Sequence, residues 1–460
     1  MSTEKNYLFE NMKPVKALAI MALPTCASQM IILIYNLADT WFIGRTNDPA
    51  MVGASSQALT VYLAVTALAN VFGVGGGSLM ARLTGEKKTD DARKVASYSI
   101  AMAFICALAF SLIVFVFLEP LLTLLGADEN TLTYAKQYVT MTTVIGGMPT
   151  VMSMCMPQLL RNAGYSKEAG IGVGIGSLIN IALDPIFMFV ILPSGKEVLG
   201  AGIATMLSNC VSMIYFIYFF RKVKDNTVLV LPRKIEKLGG EYLKSLYLVG
   251  VPAAVAIFLF DLVTIVINRL TIDYGVAPLA AMGIVLKVER IPINIGLGVC
   301  LGMVPLIAYN YGSGNLKRMN EFFALSRNTI IIFSCVCAAI FWLFADPIMS
   351  AFIKDEETVY YGILFLRGRC LSLPFMMVGY LITNYMNAVN KGIVSFILAL
   401  IRHAVLIIPI MLIMNMIWNM NGLVWSQLVA DVLNSIVAVA FFLIISRKIN
   451  ESGPLSLRPQ

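Results

Sequence analysis

One histidine, His403, occurs in 460 residues, and charged side chains make up only 13% of the chain. A single imidazole argues against histidine-built metal clusters and catalytic triads. Also missing is any G-x-x-x-x-G-K-[ST] phosphate loop, so nothing here is expected to hydrolyse ATP. The glycine-rich GVGGGSLMARLTGEKK (73–88) ends an apolar segment instead of following a strand, and close helix packing plus a turn accounts for it. No cleavable leader is expected, because the opening MSTEKNYLFENMKPVK is long and polar and the first apolar run is too long for a signal h-region. The eight cysteines (26, 106, 155, 210, 300, 335, 337, 370) all fall in apolar segments, and Cys335 and Cys337 face different sides of a helix. They read as small apolar fillers and not as a disulfide framework or metal site.

Hydrophobic residues, by contrast, make up 58% of the chain, and the mean hydropathy is +0.81. This is an all-α polytopic membrane protein. Twelve apolar segments are expected, at 14–44, 51–80, 95–118, 132–160, 169–193, 200–220, 242–274, 277–310, 322–344, 358–386, 393–417 and 421–446. At ~1.5 Å per residue each can cross a hydrocarbon core of ~30 Å, and none shows the short alternating strands of a membrane barrel.

The basic residues set the orientation. Twenty-four of the 34 lie on the tails and connectors that share a side with the N-terminus, and only Arg45, Lys136, Lys196, Arg269 and Lys354 lie opposite. Both termini are therefore expected in the cytoplasm, with the chain in the cell (inner or plasma) membrane. The formal net charge of +8 follows from this bias and is no nucleic-acid footprint.

The connector RKVKDNTVLVLPRKIEKLGGEYLK (221–244) divides the chain into two sets of six helices. EPLLTLLGADENT (119–131) answers DPIMSAFIKDEET (346–358), and LRNAGYSKE (160–168) answers YMNAVNKGI (385–393). A parallel repeat is expected: an N-lobe over 1–220, a connector over 221–241 and a C-lobe over 242–460, pseudo-symmetric around a central cleft. Prolines at 24, 149, 157, 185, 252, 292, 305, 374 and 409 interrupt the apolar bodies and are candidate bends or hinges.

The charges inside the apolar segments are the candidate functional residues. Asp39 lies five residues before Gly44, roughly 8 Å below the outer end of helix 1. Asn180 and Asp184 share a face of helix 5, and Thr205 lies a turn or two below the outer end of helix 6. Two carboxylates meeting in low dielectric cannot both ionise cheaply, so they share a proton or attract a cation. The four form a candidate H+ or Na+ site, with Asp39, Asn180 and Asp184 as the Na+ ligands. In the second half, Asp261, Lys287, Glu289, Arg290 and Asp431 offer both an ion-pair network and a cargo or coupling site, and Arg402 with His403 lines a cavity or pairs with these acids. Asn36, Gln57, Asp261, Lys287 and Asp431 are the candidate cleft or secondary charge positions. Methionine clusters such as MPTVMSMCMP (148–157) suit a cleft that accepts many apolar shapes.

Taken together, NLADTWFIG (36–44), FGVGGGSLMARLTG (72–85), LINIALDPIF (178–187), GAGIATMLSN (200–209) and LIAYNYGSGNLKRM (306–319) resemble the multidrug and toxic compound extrusion (MATE) family over essentially the whole chain, closest to its bacterial twelve-helix drug exporters. The resemblance implies a monomer that exports cationic amphiphilic small molecules in exchange for H+ or Na+, without a cofactor. It also places the family's N-lobe cation site on Asp39, Asn180, Asp184 and Thr205. Asp261 resembles a helix 7 acid of another branch, but the helix 10 acid paired with it there has no counterpart in LPFMMVGYLITNYMNA (373–388), so coupling is expected in the N-lobe. The alternative is a lipid-linked or metabolite flippase of the same superfamily, which calls for a more basic cleft. A membrane enzyme is disfavoured, since Asp90 and Asp91 lack a partner motif. Buried acids in a repeat likewise favour alternating access over a channel.

Overall fold

The computed structural model describes residues 3–46, 48–232 and 237–452, apart from the side chains of 3–6, 261 and 452. Among the described residues all regular structure is helical, as lipid demands of a backbone that must satisfy its own polar groups. Six long helices come first: α1 (Pro14–Gly44), α2 (Pro49–Gly85), α3 (Thr89–Val116), α4 (Leu132–Ile145 and Gly147–Asn162, bent by 56°), α5 (Ser166–Ile191) and α6 (Glu197–Val223). Six more follow the connector: α7 (Gly240–Ile272), α8 (Val276–Gly312), α9 (Leu316–Leu343), α10 (Glu356–Cys370 and Leu373–Ala388, bent by 47°), and α11 (392–418) and α12 (420–451), the two arms of Gly392–Glu451.

By length and composition, 9 of the described helices can cross a membrane, or 11 with each bent pair taken as one span. The last comes from Gly392–Glu451, whose 60 residues would reach ~90 Å as one helix, three times the hydrocarbon thickness. Asn419 has φ 51° and ψ −134°, and a Cβ on Gly422 would sit 1.9 Å from the Met414 carbonyl oxygen. Residues eight apart in a straight helix are ~12 Å apart along the axis, so the chain reverses here and twelve spans result.

The repeat read from the loops is built into the helices. α2 and α8 are each 37 residues long, and α3 and α9 are each 28. A short helix follows each of the latter pair, Leu118–Leu124 and Ala345–Phe352. The two matched loops lead into α4 and α10 through the same Asp-x-x-Thr contact: Thr131 N donates to Asp128 Oδ1 just before α4, and Thr358 N to the N-cap Asp355 Oδ2 of α10, both at 2.9 Å. α4 and α10 are the two bent helices, and Pro149 and Pro374 stand in the first turn of the arm after each bend, where proline is tolerated. Wider π-helical turns occur at Phe187–Ile191, just after Pro185, and at Ile401–Ile407, just before Pro409. Large apolar side chains such as Leu112, Phe115, Ile265 and Ile332 are exposed on the outside of the bundle, where lipid would cover them.

The face carrying both termini and the connector is sealed. Across it α2 meets α7 so closely that a Cβ on Gly250 would lie 2.0 Å from Val71 O, and α8 meets α1 with Gly302 against Ala22. Only glycine permits either approach. A polar seam reinforces the contact: Ser78 Oγ donates to Asn387 O at 2.7 Å, and Arg82 donates to Ser245 Oγ at 2.8 Å and Asn390 Oδ1 at 3.0 Å. The opening segment, which reads as a polar tail, contains the helix Thr3–Glu10, with Phe9 stacked on Tyr309 of α8 at 4.7 Å. Glu10 accepts from Tyr309 Oη at 2.6 Å and pairs with Lys87 after α2, so this helix joins both halves. Cys26 Sγ donates to Ile295 O at 3.3 Å near mid-depth. Among the described residues, no hydrogen bond or ion pair joins the two six-helix sets beyond that level.

Candidate ion and cargo sites

Asp184 is 0% exposed and Asn180 and Thr205 are each 1% exposed, because α5 and α6 pack against one another over the half of the bundle away from the termini. With its amide turned so that both ends are matched, Asn180 Nδ2 donates to Asp184 Oδ2 at 3.1 Å, while its Oδ1 accepts from Thr205 Oγ1 at 3.3 Å and Thr205 N at 3.2 Å. The opposite orientation keeps the 3.3 Å contact with Thr205 but turns the amide oxygen toward the carboxylate. Asp39 is half-buried on α1, close enough to act electrostatically on Asp184. Tyr35 of α1, Tyr62 of α2 and Tyr138 of α4 lie in the neighbourhood of Asp39.

Two atoms say what the site lacks. Asp39 Oδ1 and Asp184 Oδ1 are buried with no hydrogen-bond partner among the described residues. A buried carboxylate oxygen that accepts nothing leaves a lone pair for a proton or a cation. The surrounding groups are carboxylate, amide and hydroxyl oxygens, a hard donor set that fits H+ or Na+ and not a soft metal. All eight cysteines are free, and no cluster of three or more His, Cys, Asp or Glu side chains occurs among the described residues.

The remaining expected positions lie elsewhere. Asn36 is exposed on α1, one turn before Asp39, and Gln57 Nε2 donates to Gly126 O at 2.9 Å at the far end of α2. Lys287 is exposed on α8. Asp261 falls on α7, with its side chain outside the described set. Asp431 is fully buried, accepting from Arg402 Nε at 3.0 Å on one oxygen and from Gln427 Nε2 at 2.7 Å on the other. A second buried pair joins Arg369 to Glu289 Oε2 through Nε at 2.9 Å and Nη2 at 2.7 Å. Glu289 and Asp431 are thus paired, with Arg369 and Arg402, whereas Lys287 and Arg290 form no ion pair among the described residues. The π-helical turn Ile401–Ile407 holds both Arg402 and its neighbour His403 in the interior. His403 Nδ1 is 2.9 Å from Ala399 O and Nε2 is 3.3 Å from Arg402 Nη1, so Nδ1 carries the proton.

Between the two six-helix sets lies a cavity of about 370 Å³, within the range of small-molecule sites. Ile257, Phe260, Leu297 and Leu301 supply an apolar wall, and amides from both halves face the same space. Asn162 and Asn387 both line it, each with a buried Oδ1 that has no partner among the described residues. Sequence reasoning did not single them out, although LRNA and YMNA had already put them in register as repeat equivalents. Arg161 also lines the cavity. It had been counted as a connector residue, since a charge at the end of an apolar run looks the same whether it faces cytosol or cleft.

Twelve helices in two like halves around a central cavity, joined on one side and with buried acids toward the other, are an architecture found among membrane transporters. The family comparison agrees. The MatE family model matches residues 24–186 and again 252–413, once in each half, and the chain belongs to the MATE family of transporters. It is 30% identical to the multidrug export protein MepA of Staphylococcus aureus strain MRSA252 over 445 residues, 97% of this chain and 96% of that protein. Against MepA of Staphylococcus saprophyticus the identity is 29% over the same length and coverage. Among solved structures it superposes on a crystal structure of MATE in complex with MaL6 (TM-score 0.91, 22% identity, 98% of this chain and 100% of that one). It superposes equally on an outward-facing multidrug resistance MATE family transporter (TM-score 0.91, 21% identity, 98% and 99%).

Proposed function

We propose that this chain is an antiporter that exports small amphiphilic molecules, organic cations among them, in exchange for H+ or Na+. It works as a monomer in the cell membrane, with both termini in the cytoplasm. The observation that carries the reading is the pair of orphaned buried carboxylate oxygens on Asp39 and Asp184, the latter held beside Asn180 and Thr205 in the half of the bundle away from both termini. Placed so, the acids meet ions from outside while the cytoplasmic side is sealed. A proton or Na+ neutralises the pair, the outer half of α1 repacks, and the state that releases cargo outward is no longer favoured. The cleft then reverses and cytosolic cargo binds. Coupling follows because the ion binds one state better than the other. The multidrug export proteins similar to this chain support the cargo class.

The test is ethidium efflux from proteoliposomes under a Na+ gradient or a pH gradient imposed separately, for wild type and Asp39→Asn. Transport driven by one gradient and lost in the variant is expected; full transport with unchanged ion dependence in Asp39→Asn would overturn the reading. A flippase of lipid-linked or metabolite cargo is the second reading, favoured by the arginines facing the cavity. It would move anionic cargo and leave ethidium behind under either gradient.

A further inference from the structure

The charge of the central cavity runs opposite to that of the ion site. Arg161, Arg290 and Arg402 line it, and no carboxylate does among the described residues. Arg402 is neutralised by Asp431. Arg161 is 4% exposed, forms no ion pair among the described residues and leaves Nε unpartnered. Its guanidinium meets only neutral acceptors at long range, Ser28 Oγ at 3.3 Å and Gln158 Oε1 at 3.4 Å. Arg290 touches the cavity with its guanidinium 5.9 Å from the Phe260 ring and has no ion pair among the described residues. Even if Asp261 were counted in full against these three arginines, together with Asp431, one positive charge would be left over.

An unpaired arginine inside a membrane segment is expensive, and such residues ordinarily mark the path of a ligand. We infer that the central cavity takes amphiphiles bearing an anionic group, a carboxylate or its like, zwitterions included, with the anion held by Arg290 and Arg161 and the apolar body on the Phe260 wall. This rests on the transporter reading and specifies the cargo of the same cleft. Guanidinium groups suit the task because their planar donors match a carboxylate in pairs. The acids near the mouth attract cations and the arginines deeper in attract anions, so a molecule with both signs finds complementary charge along the route.

The experiment measures binding to the purified full-length protein in nanodiscs, with no gradient, by fluorescence anisotropy. The probes are dansylglycine, which carries a single carboxylate, its uncharged methyl ester and the cation ethidium. Wild type is expected to bind dansylglycine saturably and at least tenfold more tightly than the ester, a comparison that needs no variant. Arg290→Gln is expected to weaken dansylglycine at least tenfold and Arg161→Gln severalfold, with the ester affected less than the acid and Arg290→Lys intermediate. Equal affinity for acid and ester, absence of saturable acid binding, or identical acid affinity in wild type and both glutamine variants would overturn the inference. Because no ion gradient is imposed, loss of ion coupling leaves this result standing. Conversely, gradient-driven export of ethidium alongside equal acid and ester affinity would sink the anion site and leave the antiporter intact.

Discussion

Arg82 of α2 donates to Asn390 Oδ1 at 3.0 Å, so a guanidinium from one six-helix set is held by the loop between α10 and α11 of the other. No carboxylate pairs with this arginine among the described residues, and its partners Ser78, Ser245 and Asn390 are all neutral. The face that carries both termini is therefore joined across the two sets by uncharged partners. Asn390 has φ +62°, so Asn390→Gly removes the amide without straining the backbone. Losing one hydrogen bond to a buried charged donor weakens the sealed state by ~1–3 kcal/mol, which corresponds to a shift of about 5- to 150-fold in the equilibrium between states. Labelling of a cysteine placed at Ser78 by a membrane-impermeant thiol reagent from the cytoplasmic side, in a background lacking the native cysteines, should rise accordingly. An unchanged rate would show that the seam does not hold the state.

Thr205 supports the proposed ion site through Asn180, whose amide oxygen accepts from Thr205 Oγ1 at 3.3 Å. Thr205→Val keeps the shape but leaves the buried Asn180 carbonyl with only the Thr205 backbone N–H, at 3.2 Å. The orphaned amide should turn away from Asp184, and the ion concentration for half-maximal transport should rise by about tenfold, given ~1–3 kcal/mol for a lost buried partner. Measuring efflux against ion concentration separates this from a folding defect, because the maximal rate is expected to survive.

Glu289 and Arg369 form a buried pair between α8 and α10 beside the central cavity, with Glu289 Oε1 left without a partner among the described residues. Removing one partner strands a buried charge, so Glu289→Met should destabilise by ~3–5 kcal/mol, whereas Glu289→Met with Arg369→Met should recover most of it. Thermal melting in detergent checks both. A double variant no better than the single would mean that the pair also orders α8 against α10 in a way apolar side chains cannot replace.

The docking of the N-terminal helix should depend on pH. The hydrogen bond from Lys87 holds the Glu10 carboxyl below its ordinary range, with Tyr309 adding to it. A depressed folded value means that the stabilisation is present above the unfolded value of about 4.3 and is lost as pH falls through the lower folded value. Amide exchange of residues 7–12, corrected for intrinsic rates, should stay slow at pH 7 and 6 and accelerate in acid. Glu10→Gln should exchange faster at neutral pH and lose most of that acid dependence.

Sequence alone determined the membrane character, the helical class and the two-fold repeat, because each rests on local quantities: continuous apolar length, the period of the backbone and polar loop motifs that hydropathy does not create. It also put Asp39, Asn180, Asp184 and Thr205 forward as one group by depth, and the structure brings Asn180 against both Asp184 and Thr205. Tertiary structure decided what depth cannot. The reversal at Asn419 separates two spans that share one helical assignment, and Phe9 turns a polar tail into a helix only because Tyr309 gives it a surface. Facing was the other undetermined quantity. Arg161, Asn162 and Asn387 line the cavity on the arms of α4 and α10 that follow the bends before Gly147 and Leu373. A sequence fixes how far along a helix a charge lies, whereas the packing of twelve helices fixes what it faces.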